Sequence, residues 1–243
     1  MRPLLVENAA ASQQSQNAPH PAAKTSSTAL TLTDNAGMPG SESFYDLLKQ
    51  RRAVRSYTGE RVPRETLERI ARAGRRGPNA GYSQGLRLLV VDDPETIEQL
   101  AALQEDERSR AWFGKAAAHF VVLTREQDYH DRYNQPDKLA VTGGVEVVWP
   151  VPFWHVDAGA ALMLVWLAAL EEGLGAGVYG VPVEEDARWR ELLAIPDDLT
   201  IVVGVTIGRP AEDPDWDEAT SAFSQRRRAH EEVVRWNRWL SAL

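Results

Sequence analysis

The chain has 243 residues, is mildly acidic with a formal net charge of −8, and carries no cysteine. Its length suits one domain with a sizeable core. The charge argues against a general nucleic-acid or anionic-membrane binder, and the missing thiols exclude disulfides, thiolate catalysis, Cys-ligated zinc and iron–sulfur clusters. No apolar run reads as uniform enough to span a bilayer. The opening MRPLLVENAA has too short an apolar stretch for a secretory segment, so the expected location is the cytoplasm.

Residues 1–40, rich in Ala, Ser, Thr, Asn and Gln and ending in Gly37-Met38-Pro39-Gly40, read as a flexible tail ahead of a domain over 41–243. Ser43-Phe44-Tyr45-Asp46 has the look of a capping box and opens a short helix expected to reach Arg51 and Arg52. A second helix starts at Pro63, with Leu67, Ile70 and Ala71 on one face. Glu65–Arg69 and Glu68–Arg72 are i,i+4 pairs on its polar side, and Gly74 and Gly77-Pro78 end it. Strands are expected over 86–91 and 119–124, with a helix over 94–103 between them. Residues 127–152 show no pattern and read as a functional loop or an insertion. The helix over 156–172 is apolar nearly all round, begins with Ala158-Gly159-Ala160-Ala161, and must be buried on most faces. A short strand over 176–179, a helix over 184–193, a strand over 200–207 and an amphipathic helix over 229–240 complete the order. Strands mixed with helices and no internal repeat give an α/β or α+β domain.

Three motifs invite a chemical reading that their context refuses. Gly81-Tyr82-Ser83-Gln84-Gly85 fits the G-x-S-x-G of a hydrolase elbow, but that elbow needs a strand before the serine and a helix after it. Here the order is reversed. Gly175-Ala176-Gly177-Val178-Tyr179-Gly180 is a literal G-x-G-x-x-G, yet it follows a helix and lies on a strand, so a pyrophosphate would meet no helix N-terminus. His155-Val156-Asp157, with His130-Asp131 upstream, has no zinc spacing, and no metal site is expected. His155 reads as a helix-start or cavity-lining residue, and Asp157 as a complement to the helix dipole.

Arg51-Arg52-Ala53-Val54-Arg55-Ser56-Tyr57 is followed by Pro78-Asn79-Ala80-Gly81-Tyr82-Ser83-Gln84, then Gly173-Leu174-Gly175-Ala176-Gly177, then Arg226-Arg227-Arg228. In order and spacing these segments resemble the nitroreductase-like FMN flavoprotein family, from about residue 43 to the end. The residues support an anion site independently: planar guanidiniums bind phosphate in bidentate fashion, and Arg51, Arg52 and Arg55 span little more than one helical turn. Any one of them alone reads rather as a solvated basic helix end; the three in this register, followed by the loop, read as a phosphate clamp.

The resemblance implies an α+β (α/β mixed) fold, a central and mostly antiparallel sheet flanked by helices, and a homodimer with flavin at the subunit interface. It implies an FMN phosphate held by Arg51, Arg52, Ala53 and Arg55 with Arg227 and Arg228. The flavin ring and ribityl chain would run along Pro78, Asn79, Ala80, Gly81 and Ser83, with the backbone of Tyr179, Gly180 and Val181 near the flavin N5. Gly180 reads equally as an ordinary turn glycine. Tyr82, Trp149, Phe153 and Trp154 are the expected substrate-facing residues, the last three as an aromatic lid able to stack on a planar acceptor; Trp154 also fits plain packing. The chain departs from the family pattern at Tyr82, where Asn is common, at Gly85-Leu86, where Pro-Trp is common, and at Ala53, where Ser is usual. The implied activity passes electrons from NAD(P)H through FMN to a small electrophilic acceptor: a nitroaromatic, quinone or conjugated carbonyl. The cofactor carries the chemistry, which explains why no His, Asp or Cys arrangement stands out. The alternatives are a non-catalytic flavin-storage protein and a flavin-dependent dehydrogenase of a biosynthetic intermediate.

Overall fold

The structure, a computed structural model, describes residues 44–212 and 228–239; the expected tail, Ser43, Arg226 and Arg227 lie outside the described residues. Strands β1 (Leu86–Val91), β2 (Ala118–Thr124), β3 (Gly175–Tyr179) and β4 (Thr200–Gly208) form one sheet in the order β1-β2-β4-β3, every neighbouring pair antiparallel. Strand β2, AHFVVLT, is buried along its whole length because helices cover both faces, so it reads as a continuous apolar run rather than an alternation. Leu86 pairs with Thr124, Thr124 with Thr200, and Tyr179 with Gly204. Through Gly204 and Val121 the end of β3 lies level with Leu89 in the middle of β1, on the opposite edge of the sheet and about 14 Å away by three strand spacings.

The described helices are α1 (Phe44–Gln50), α2 (Arg64–Gly74), α3 (Pro94–Ala102), α4 (Glu107–Gly114), α5 (Gln127–Tyr133), α6 (Pro136–Thr142), α7 (Phe153–Glu171), α8 (Asp186–Leu193) and α9 (His230–Val233). On one face, Leu67 and Ile70 of α2 and Val165, Trp166 and Ala169 of α7 pack on Phe120, Ala176, Val205 and Ile207 of the sheet. On the other, Ile97 and Leu100 of α3, Trp112 and Phe113 of α4 and Trp189 of α8 close over Val91 and Tyr179. The result is the α+β class read from the sequence. Of the two expected pairs on α2, Glu68–Arg72 forms at 3.4 Å. Arg69 instead turns to Glu172, with two contacts of 2.6 and 2.7 Å that tie α2 to the end of α7.

Three expectations need correction. Residues 127–152 are not patternless: α5 and α6 lie there, and α4, capped by Asp106 accepting from Ser109 N at 2.9 Å, was also missed. The helix expected over 229–240 is a single turn, His230–Val233, with Val234 extended. Val233, Trp236 and Trp239 stay exposed, so its apolar face meets no core among the described residues, and a short helix without packing does not persist. Finally, α7 is long and apolar enough to cross a membrane by length and composition, contrary to the reading of the sequence. Its place between α2 and the sheet accounts for that composition.

His119 points from β2 into the second core and is fully buried. Its Nε2 faces the Phe113 carbonyl at 3.1 Å and its Nδ1 the Tyr179 hydroxyl at 3.2 Å. A carbonyl only accepts, so Nε2 carries the proton and Tyr179 donates to Nδ1. Burial lowers the His119 pKa from 6.5 to about 4. Below pH 6.5 the unfolded chain takes up a proton here that the folded chain refuses, so stability falls as pH falls. The loss reaches about 3 kcal/mol by pH 4. Urea unfolding of wild type and His119→Gln across this window checks it: the variant should lack this part of the slope, and equal slopes would refute the assignment.

Candidate functional site

The first half of the expected site is the basic segment. Helix α1 stops at Gln50, with Arg51 N bonded to Leu47 O, and the chain then runs extended. Arg51, Arg52 and Arg55 are therefore not on a helical turn, which corrects the expected geometry. Ala53 bridges Ala176 of β3, and Val54 N donates to Ala176 O at 2.9 Å. This crossing is possible because β3 has glycine at 175 and 177, where any side chain would strike Val54 and its carbonyl. The literal G-x-G-x-x-G thus makes room for the basic segment. Tyr57 locks it down, donating to Val54 O and Thr206 O at 2.9 and 3.1 Å, while Trp112 Nε1 donates to Thr206 Oγ1 at 2.8 Å. The Arg55 guanidinium then lies 5.2 Å from the Trp112 ring centroid, and the Arg51 guanidinium 4.9 Å from that of Trp166 on α7. Since Trp112 and Trp166 belong to opposite faces of the sheet, the two cations flank the β3 edge from both sides. Arg52 and Arg228 are exposed.

Beyond β3, the Tyr179 side chain is buried between Trp112, Phe113 and Trp189, leaving only its backbone for a ligand. Gly180 is exposed, has no positive φ, and a Cβ there would meet nothing. Neither conformation nor packing among the described residues asks for glycine at this position. Val181 is half-buried against the second core.

The second half is the loop between α2 and β1, a 3-10 turn over Ala80–Tyr82. Gly81, Tyr82 and Gln84 all have φ near +60°. Asn79 Oδ1 accepts from Gln84 N at 2.7 Å, Arg132 Nε donates to Gly81 O at 2.9 Å, and Ala80 N donates to Asp157 Oδ2 at 2.9 Å. Tyr129 Oη also donates to Asp157 Oδ2, at 2.7 Å. The two glycines of the G-x-S-x-G pattern are explained by α5: a side chain at 81 would meet the Tyr133 ring and one at 85 the Tyr129 ring. Ser83 Oγ donates to Ala80 O at 2.6 Å, turned onto its own loop with no imidazole bonded to it, and the hydrolase reading ends there.

Asp157 is another correction. Helix α7 begins at Phe153, so Asp157 stands in its second turn, buried, and serves the loop rather than the helix dipole. Sequence reading also missed Tyr129. The signal was present in two glycines four apart facing two tyrosines four apart, a spacing that puts both rings on one helix face. Above them sits the aromatic cluster. The Trp149 ring lies 4.6 Å from Tyr133 and 5.8 Å from Phe153, while Trp154 is buried against Tyr129 and His130. Glu146 fastens this segment to α5, accepting from His130 Nδ1 at 2.6 Å, Asn134 Nδ2 at 2.7 Å and Trp149 Nε1 at 3.1 Å. The Glu146 hydrogen bond, against some burial and with help from Glu126, raises the His130 pKa. Tyr82 is 74 % exposed at the loop tip.

A cavity of about 560 Å³ opens between loop and β1, lined by Pro78, Asn79, Tyr82, Gln84 and Asp157 with Arg75 and Arg87. Arg51, Arg52 and Arg55 do not line it. Asp157 holds the loop and Trp166 carries Arg51, nine positions apart on α7, which separates the two halves by about 13 Å along the helix. The single chain keeps them apart. No metal-ligand cluster occurs among the described residues.

Comparison with known proteins agrees with this architecture. The Nitroreductase family model matches residues 48–209. A putative NADH dehydrogenase/NAD(P)H nitroreductase of Archaeoglobus fulgidus is 28 % identical over 75 % of the chain and 94 % of its own length. The FMN reductase [NAD(P)H] of Bacillus subtilis is 29 % identical over 68 % of the chain, which spans only 65 % of that longer relative. Among solved structures, the NADPH:FMN oxidoreductase from Vibrio harveyi complexed with NAD+ superposes with a TM-score of 0.61. It covers 82 % of this chain and 79 % of its own at 21 % identity, a likeness of fold. The chain belongs to the Nitroreductase family.

Proposed function

We propose that the chain is an FMN-dependent oxidoreductase that takes electrons from NAD(P)H and passes them to a small electrophilic acceptor, working as a homodimer with each flavin held between subunits. The observation that carries this is the family match over residues 48–209, a range containing the basic segment, the loop and Gly180 but not Arg227 or Arg228. The donor set fits the cofactor. Guanidiniums at 51 and 55 suit a dianionic phosphate, polar loop groups suit a ribityl chain and ring edge, and the open space at Gly180 admits close approach. Bound FMN supplies the redox chemistry; the chain binds it, orients it and excludes water around it. Trp149, Phe153 and Tyr82 border the space for the acceptor, and Trp154 is a packing residue beneath them. Anaerobic titration with NADH and NADPH tests the reading. A yellow protein that bleaches is the expected result, one that holds FMN without bleaching is a storage protein, and one that takes up no FMN refutes the proposal.

The dimer rests on α7. Ala158 and Ala161 are fully buried within their own chain, so a charge at 161 would break the fold rather than an interface. The outward face carries Val156, Gly159 and Met163, with Val156 52 % and Met163 36 % exposed. Gly159 costs a helix interior about 1 kcal/mol against alanine, and among the described residues nothing lies within 4 Å of where its Cβ would stand. Close approach by a second copy gives that glycine a reason. Gly159→Arg should yield monomers that lose FMN in sedimentation runs; a variant that stays dimeric would refute this seam.

A further inference from the structure

We propose that Asp157 is a positioning residue with two roles: its Oδ2 fixes the loop over 79–84, and its other oxygen accepts a hydrogen bond from a donor on the flavin bound against that loop. This rests on the FMN reading above. The starting point is a carboxylate only 6 % exposed in the second turn of α7. Burying a carboxylate is costly unless donors satisfy it, and its two oxygens offer about four acceptor positions. Both of its hydrogen bonds land on the same oxygen, from Ala80 N at 2.9 Å and from Tyr129 Oη at 2.7 Å. Among the described residues, none reaches Oδ1. Asp157 is among the residues that line the cavity with Asn79, Tyr82 and Gln84, so the proposal places its remaining acceptor capacity toward ligand space.

Tyr129 makes the arrangement stiff. Its ring fills the space above Gly85, and Trp154 lies 5.9 Å away, so the phenol cannot swing aside. Burial first, then the bond to Asp157, pushes its pKa well up, so it remains a donor. The loop itself needs such restraint. Left-handed backbone at Tyr82 and Gln84 costs on the order of 1 kcal/mol at each non-glycine residue, and the bonds from Asp157, Asn79 and Arg132 hold it there before any ligand arrives. FMN offers one ring N–H and the ribityl hydroxyls as donors, and a carboxylate that only accepts selects such a group. A carboxylate beside the ring also disfavours the extra electron density of the reduced cofactor. Arg75 and Arg87 border the same cavity, and Arg87 is already engaged with Asp128 and with the Gln84 and Leu86 carbonyls.

The test uses the full chain purified with FMN, comparing wild type, Asp157→Asn and Tyr129→Phe. If wild type binds no FMN, the functional reading itself fails, which separates that failure from this one. With wild type loaded, Asp157→Asn should bind FMN at least tenfold more weakly and show a higher flavin midpoint potential. Tyr129→Phe, which leaves the carboxylate in place, should bind several-fold more weakly with a smaller change in potential. A purely structural role would lower melting temperature and leave the potential of the bound flavin unchanged, and that outcome overturns the proposal. Should Asp157→Asn fail to fold, Tyr129→Phe decides, and wild-type FMN affinity in it overturns the proposal equally.

Discussion

Replacing Arg51 and Arg55 together by alanine is expected to weaken FMN binding by roughly two to four orders of magnitude. Hydrogen bonds to a charged group contribute about 1.5–3 kcal/mol each, and whichever guanidinium meets the phosphate, its planar fork makes two of them, so the double replacement removes both. The fold should survive. Each guanidinium lies over an indole at the edge of the sheet, and losing that contact costs about 0.5–1 kcal/mol, well short of unfolding the domain. Fluorescence titration of the folded apoprotein with FMN measures the loss, and the melting temperature serves as control. Arg55→Lys should fall between, because an ammonium keeps the charge without the planar fork. Wild-type affinity in the double variant would remove the phosphate assignment.

Gly204→Ala should be the most damaging methyl added at any described glycine. Tyr179 and Gly204 face each other across β3 and β4, and the Tyr179 ring lies where a Cβ at 204 would stand. The ring has nowhere to go: His119 holds its hydroxyl, and Phe113 and Trp189 lie at 4.7 and 5.5 Å. Overpacking of a rigid core costs about 1–3 kcal/mol, and the upper end applies where neither partner can yield. For a domain of this size that lowers the melting temperature by roughly 6–12 °C. Adding Tyr179→Val should recover part of the loss by freeing the space, while a Gly204→Ala protein that melts like wild type would show that the ring can move.

What the sequence made legible follows from how local each cause is. Strands β1, β2 and β4 and the long α7 announce themselves through contiguous apolar residues, and their ends were placed within a few positions. Helices α4, α5 and α6 did not, because ERSRAWFG, QDYHDRY and PDKLAVT are short, polar and partly exposed, and carry little periodicity. The candidate site splits the same way. Arg51, Arg55, Asn79 and Ser83 could be picked out by type and order. Their arrangement could not, since the glycines at 81, 85, 175 and 177 answer to Tyr133, Tyr129 and Val54, partners remote in sequence. Asp157 was misread because the start of α7 was placed at Val156 rather than Phe153, which turned a buried loop anchor into a helix-end charge.

The locking of the basic segment also dictates when the protein can mature. Tyr57 and Thr206 are 149 residues apart, and the segment is closed by Thr58 N to Arg209 O and Ala211 N to Ser56 O. Synthesis proceeds from the N-terminus, so the arginines emerge first and wait for the strand that seats them. A nascent chain halted before residue 200 holds the basic segment and the loop but has neither β4 nor Thr206, and contacts of such high sequence separation form late. With the basic segment and the loop holding FMN as proposed, cofactor loading is confined to chains that are nearly complete, and an unfinished polypeptide has no formed site in which to trap a flavin.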